Sequence, residues 1–247
     1  MIGVPRYFEN DLYYDSPYKY PKPMNDYIPF EQIPFGSESF ADNPEPRCPC
    51  VLLLDTSGSM SGLPINHLNE GVQLFKQELL ADSLATKRVE VAMVTFGPAR
   101  IESDFHTVPN FFPNTLTASG DTPMGAAISI GIDLVVKRKQ EYKTHGVSYY
   151  KPWIILITDG GPTDVWQAAA TKVKEGEAAK SFSFFAVGVE GANMETLKQI
   201  SVREPMKLKG LMFKEFFMWL SASMKMVSSK NPGSNITLLP PQGWTEL

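Results

Sequence analysis

Asp55, Ser57 and Ser59 occupy alternate positions directly after the apolar run Val51-Leu52-Leu53-Leu54. One carboxylate and two hydroxyls are thereby gathered into a single turn, and oxygen donors of low total charge are what a hard cation such as Mg²⁺ selects. Two later segments carry the same chemistry, Asp121-Thr122-Pro123-Met124-Gly125 and Thr158-Asp159-Gly160. Asp55, Ser57, Ser59, Thr122 and Asp159 together supply two carboxylates and three hydroxyls. Mg²⁺ usually keeps some waters, so this set leaves a position open to an outside ligand, and Mn²⁺ or Ca²⁺ suits the same donors. With few negative charges around it the ion stays electrophilic, and a carboxylate from a protein partner is its natural sixth ligand.

The elements that must position these residues follow from periodicity. Cys48–Asp55 reads as a strand buried on both faces, which places Asp55 at its carboxyl end, where open α/β sheets bind their ligands. Ile65, Leu68, Val72, Phe75 and Leu79 recur at helical spacing and predict a helix over Pro64–Leu84, with Gly58 allowing the tight turn before it. Val89–Phe96 is expected as a strand and Ala99–Phe105 as its hairpin partner. A loop over Val108–Asp121 then leads to a helix over Pro123–Tyr142. Trp153–Thr158 is a second buried strand, followed by a helix over Thr163–Lys180, a strand over Ser181–Val189 and a short helix over Met194–Ile200. Met206–Leu208 is an edge-strand candidate, and Phe213, Phe216, Phe217, Leu220, Met224 and Val227 mark a last amphipathic helix. Strands alternating with helices imply an α/β fold: a doubly wound, mostly parallel sheet with one antiparallel edge strand and helices on both faces. Right-handed crossovers bring the carboxyl ends of the first strand and of Trp153–Thr158 to one rim.

Residues 1–46 differ in character, holding six of the nine tyrosines and eight of the twenty prolines. They read as an extended arm, at least part of which is expected to pack on the domain or on a partner. Residues 47–229 form the domain proper, and 230–247, with Pro-Pro and Gly, read as a loose tail. A net charge of −4 with no basic stripe argues against nucleic acid as a partner. No apolar run reaches the roughly 18 residues of a membrane span. The acidic, tyrosine-rich beginning is not that of a signal peptide. Cys48 and Cys50, separated by one proline, are poorly placed to pair with each other, so a reducing, cytoplasmic setting is expected.

Asp-x-Ser-x-Ser after an apolar strand, a later loop Thr, and a strand ending in Thr-Asp-Gly resemble the marks of von Willebrand factor A domains across about Pro49–Ser228. The resemblance implies a von Willebrand A, Rossmann-like fold. It also implies that Asp55, Ser57, Ser59, Thr122 and Asp159 form that family's metal-ion-dependent adhesion site. The serines would then bind the metal directly, and the aspartates and Thr directly or through water. Leu-Leu-Leu-Asp-Thr-Ser-Gly-Ser-Met-Ser-Gly, Leu-Thr-Ala-Ser-Gly-Asp-Thr-Pro-Met-Gly-Ala-Ala, Ile-Thr-Asp-Gly-Gly-Pro-Thr-Asp and Phe-Phe-x-Trp-Leu-Ser-Ala-Ser look further like TerY-type proteins. Those are stand-alone bacterial A domains linked to tellurite-resistance and stress systems, often encoded beside kinase-like and PP2C-type phosphatase partners. Residues 1–46 are not part of that pattern, and the cysteine-rich extension of some relatives is missing.

Three functions compete. The first is a metal-dependent protein-binding module. The second is a scaffold docked mainly through its arm. The third, a hydrolase, is disfavoured, because Ser57 stands where Asp-x-Asp phosphohydrolases have their acid/base carboxylate. Gly58-Ser59-Met60-Ser61-Gly62 also has Met60 where a Gly-x-Ser-x-Gly nucleophile would be. The chain is therefore expected not to be an enzyme. Among the remaining polar residues, Glu102, Asp104, Asp133 and Asp164 read as solvated charges, His67 as a polar helix-face residue, and Asp121 as a turn residue or outer acceptor. Trp153 and Trp219 read as core, Trp166 as a rim anchor for a partner, and Phe111-Phe112 as core.

Overall fold

In the computed structural model, residues 40, 42–234, 237, 238, 240, 241 and 243–246 are described. They belong to one unit, Gly36–Leu247. Most of the expected arm lies outside the described residues. Phe40 and residues 42–46, however, pack on the domain, with the Arg138 guanidinium 4.7 Å over the Phe40 ring.

The sheet is built from β1 (Cys48–Asp55), β2 (Val89–Phe96), β3 (Arg100–Thr107), β4 (Trp153–Thr158), β5 (Ser183–Gly188), β6 (Met206–Leu208) and β7 (Thr245–Glu246). Their order across it is β3-β2-β1-β4-β5-β6-β7. β2, β1, β4, β5 and β6 run parallel, and β3 pairs antiparallel at one edge as expected. The doubly wound α/β fold read from the sequence is the one observed. β7 adds a second, two-residue antiparallel edge.

Among the described residues, six helices flank the sheet: α1 (Leu63–Leu80), α2 (Ser83–Arg88), α3 (Met124–Thr144), α4 (Gln167–Ala178), α5 (Met194–Ile200) and α6 (Phe213–Ser228). Alternation along β1 sends Cys48, Cys50, Leu52 and Leu54 into one core with α1 and α6. It sends Val51 and Leu53 into the other, with α3, α4 and α5. Both cores rest on close approach. A Cβ at Gly71 of α1 would stand 2.4 Å from the Phe217 ring of α6, and one at Gly131 of α3 only 2.7 Å from Leu53 Cδ2.

Several boundaries move for local reasons. α1 ends at Leu80 rather than Leu84, because Asp82 Oδ1 accepts from the Leu84 and Ala85 amides and caps a separate short helix. α4 starts at Gln167 rather than Thr163, since residues 163 and 164 spend their polar groups on the rim described below. The tail is not loose at 243–246. Trp244 is buried against Phe216 and Trp219, with ring centroids 5.2 and 5.3 Å away. Its carbonyl accepts from the Lys209 amide at 2.7 Å and leads into β7. Of the Phe111-Phe112 pair, only Phe111 enters the core; Phe112 is exposed.

Candidate metal centre

β1 hands the chain to α1 and thence to β2 on one side, and β4 hands it to β5 on the other. The crevice between the carboxyl ends of β1 and β4 is therefore the sheet's topological switch point, where the two chain directions leave a gap between loops. Leu54 pairs with Ile157 across that junction, so Asp55 and Thr158 end their strands side by side.

All five residues expected as ligands border this crevice. Asp55 is fully buried, and its carboxylate is held on both oxygens. Oδ1 accepts from the Ser57 amide at 2.8 Å, and Oδ2 accepts from Thr158 Oγ1 at 2.5 Å. Ser59 Oγ donates to Asp159 Oδ1 at 2.7 Å and lies 3.0 Å from Ser57 Oγ, which leaves Ser57 to donate to Ser59. Four of the five are thus tied to one another by hydrogen bonds or by adjacency in the Asp55–Ser59 turn. Thr122 joins through backbone. Its carbonyl accepts from the Thr163 amide at 3.0 Å, and its own amide donates to Thr163 Oγ1 at 3.0 Å. Its hydroxyl faces Gly160, 3.8 Å from where a Cβ would stand there. Asp121 is exposed and makes no side-chain hydrogen bond among the described residues.

Two backbone clamps fix the Asp55 turn. The Gly58 amide donates to Gly120 O at 2.9 Å, and the Ser119 amide donates to Thr56 O at 2.7 Å. Gly97, at the end of β2, is what lets these strands of loop meet: a Cβ there would stand 2.5 Å from both Thr56 O and Ser119 O. Gly62 then takes a φ of 85° to turn the chain into α1, with Pro64 in its first turn.

Asp164 was expected to be solvated, yet its two oxygens accept from the Gly125 and Ala126 amides at 2.9 and 2.8 Å. It satisfies the amino end of α3 from across the rim and so holds Thr122 against the loop from β4. Trp166 is half-buried against the core rather than presented on the rim, and the exposed apolar residue is its neighbour Val165. Thr158 and Asp164 were both missed as site residues. Thr158 had a sequence signal, a hydroxyl at the last position of a buried strand beside Asp55. Asp164 had none, because its partners lie 38 and 39 positions away.

Burial, and secondarily the neighbouring Asp159 charge, push the Asp55 carboxyl above its usual range, against the opposing pull of its hydrogen bonds to Ser57 and Thr158. Among the described residues no Lys, Arg or His forms an ion pair with either aspartate. Nor do the described residues include a group of three or more His, Cys, Asp or Glu side chains that would hold a metal. The donor set here is of another kind, two carboxylates with hydroxyls, which suits Mg²⁺ and not zinc.

A mostly parallel open sheet with an oxygen-lined crevice at its switch point defines a doubly wound α/β domain. The sequence model of the von Willebrand factor type A domain matches residues 50–215, and the chain belongs to that family. Its members often mediate protein–protein or metal-dependent binding. No match was found among the curated proteins. Solved structures that share the fold include these two. Proximal thread matrix protein 1 from the mussel byssus has a TM-score of 0.52 at 15% identity, over 74% of this chain and 49% of that one. The pilus adhesin SpaC from Lactobacillus rhamnosus GG has a TM-score of 0.60 at 14% identity, over 74% of this chain and 31% of that one. The chain thus spans half or less of the length of these structures.

Proposed function

We propose that this protein is a metal-dependent binding module and not an enzyme. In this reading Asp55, Ser57, Ser59, Thr122 and Asp159 form a metal-ion-dependent adhesion site. The observation that carries it is the buried Asp55 beside Asp159 with hydroxyls, and among the described residues no ion-paired cationic side chain, for company. The two carboxylates and three hydroxyls would hold Mg²⁺, with Mn²⁺ or Ca²⁺ as substitutes. When bound, the ion supplies a Lewis-acidic position that accepts a carboxylate from a protein partner. The chain's own residues do the rest. Ser57 in place of a second turn carboxylate keeps the site's negative charge low, and the rim supplies contact area through exposed Leu63 and Val165.

The likeness of the motifs to TerY-type proteins supports a cytoplasmic role in a tellurite-resistance or stress-response complex with kinase-like and PP2C-type phosphatase partners. None of the helices in the described residues is long and apolar enough to cross a membrane. The test is co-purification of partners from the native host with and without EDTA, and with Asp55→Ala. Capture should fail under both treatments and return with Mg²⁺ for the wild-type chain. Capture that persists under both treatments overturns the reading.

A further inference from the structure

The pole of the sheet opposite the rim holds a cavity of about 820 Å³ where β4 and β5 begin. It lies one strand length, about 20 Å, from the candidate metal centre. Its wall is aromatic: Trp153 and Phe185, the former opening β4, sit with ring centroids 5.1 Å apart. Its rim is cationic. Lys139 from α3, Lys151 from the segment before β4, Lys180 from the turn before β5 and Arg203 from the segment before β6 all line it. These residues are far apart in sequence and converge only in the fold.

The positive charge is under-compensated. Glu177 is the one carboxylate paired with these four among the described residues; it binds Arg203 and lies 3.9 Å from Lys151. Arg203 is further anchored by lying 5.0 Å over the Phe185 ring. Among the described residues Lys139 finds only a carbonyl, Ser181 O, at 3.1 Å. Lys180 makes no ion pair among the described residues, and it sits in the left-handed region at φ 54°, which a non-glycine residue seldom occupies. Burial, and after it the positive charges of Arg203 and Lys180, hold the Lys151 ammonium below the usual lysine range, against the pull of Glu177.

We infer that this cavity is a second binding site, independent of the metal centre, for a small ligand bearing a phosphate dianion. Convergent ammonium groups suit a compact dianion, to which lysine binds as a point charge. An acidic peptide, with carboxylates spaced by roughly 3.3 Å per residue, would ask instead for a row of cations. The cavity falls within the roughly 300–1,000 Å³ typical of small-molecule sites, so the phosphate has room to bring a flat, partly apolar body against Trp153 and Phe185.

The test is calorimetric titration of the full chain with inorganic phosphate, adenosine 5′-monophosphate, adenosine and a glutamate-rich peptide. Saturable binding of phosphate or of the nucleotide, with adenosine weaker than the better of the two, is expected. A tighter nucleotide identifies an ester on an aromatic body, and equal or tighter phosphate identifies the free anion. Lys151→Gln and Lys180→Gln should each weaken binding about tenfold, the worth of a hydrogen bond to a charged group. Lys151→Arg and Lys180→Arg should largely restore it, and Asp55→Ala should leave it unchanged. Absence of saturable phosphate or nucleotide binding, preference for the peptide, or indifference to the glutamine variants while the chain stays folded would overturn the inference.

Discussion

Ser59 donates its hydroxyl hydrogen to Asp159 Oδ1 at 2.7 Å, joining the turn after β1 to the turn after β4 across 100 positions of sequence. The same oxygens belong to the ligand set of the proposed metal site. This contact and the Ser57–Ser59 contact pair these side-chain oxygens with one another across the rim.

Metal should therefore stabilise the fold measurably. A ligand present at 100 times its Kd adds about 2.7 kcal/mol. For a chain of this size that is a rise of roughly 5–10 °C in Tm. Differential scanning fluorimetry in EDTA and then in excess Mg²⁺ should show this rise for the wild type. Asp55→Ala and Asp159→Ala should show none. Ser59→Ala should show a reduced response, since it removes one donor and the link between the two turns. A wild-type Tm indifferent to Mg²⁺, Mn²⁺ and Ca²⁺ would refute the site.

Asp55 gives the metal-free protein a pH dependence of known sign. Its folded pKa is raised, chiefly by burial, so the folded state binds its proton more tightly than the unfolded chain does. Its favourable contribution is fully present below the ordinary aspartate pKa and is lost as pH rises through the raised value. Urea unfolding in EDTA should show this loss as a difference between wild type and Asp55→Asn that grows with pH and then levels off. In saturating Mg²⁺ the sign should reverse, because the cation favours the charged carboxylate.

At the opposite end of the sheet, Glu90 is 1% exposed and holds the two guanidiniums of Arg47 and Arg138, at 3.0 and 2.8 Å, together with the Tyr142 hydroxyl. Glu90→Ala would leave Arg47, itself buried, without that counter-charge. Breaking a buried pair in this way typically costs about 3–5 kcal/mol. Glu90→Gln should cost less, because it keeps an acceptor. Chemical denaturation should register both losses. The Tm increment on adding Mg²⁺ should be unchanged, as the rim lies a full strand away.

What the sequence showed and what it hid divide along physical lines. β1 and β4 were legible because a strand buried on both faces must be apolar throughout, and the polar residue that ends such a run marks the rim. Asp55, Ser57, Ser59 and Asp159 could be brought to one rim, since right-handed crossovers leave little choice about which strand ends meet, and Thr122 joined them from the loop before a helix. The buried Glu90 cluster was not legible. Val89–Phe96 read only as a strand, and nothing in its own residues shows that Arg47 and Arg138 arrive from two other elements to let Glu90 be buried. The docking of Trp244 was hidden in the same way, by partners, Phe216 and Trp219, that precede it by 28 and 25 residues. Helix ends failed where a side chain competed with the helical ladder, as Asp82 does at the end of α1.

Asp164 offers the sharpest separation between holding the metal site in place and binding the metal. Its carboxylate touches none of the five candidate ligands through their side chains, but it accepts from the amides of Gly125 and Ala126, immediately after Thr122-Pro123-Met124. A Cβ at Gly125 would stand 2.7 Å from Val165 O, so the loop carrying Asp164 rests directly on the first turn of α3. Removing a capping acceptor of this kind costs about 0.5–2 kcal/mol. The freed loop should also let Thr122 drift from Asp159. Asp164→Ala is therefore expected to lower Tm modestly in EDTA and to weaken Mg²⁺ affinity severalfold. Asp164→Asn retains one acceptor oxygen and should recover much of both. Thr122→Ala, by contrast, should weaken Mg²⁺ with little change of Tm in EDTA, because its hydroxyl carries no hydrogen bond among the described residues. Isothermal titration of Mg²⁺ into the three variants, beside their Tm values in EDTA, distinguishes the two roles. Equal effects of Asp164→Ala and Thr122→Ala on both readouts would show that Asp164 does not act through the position of α3.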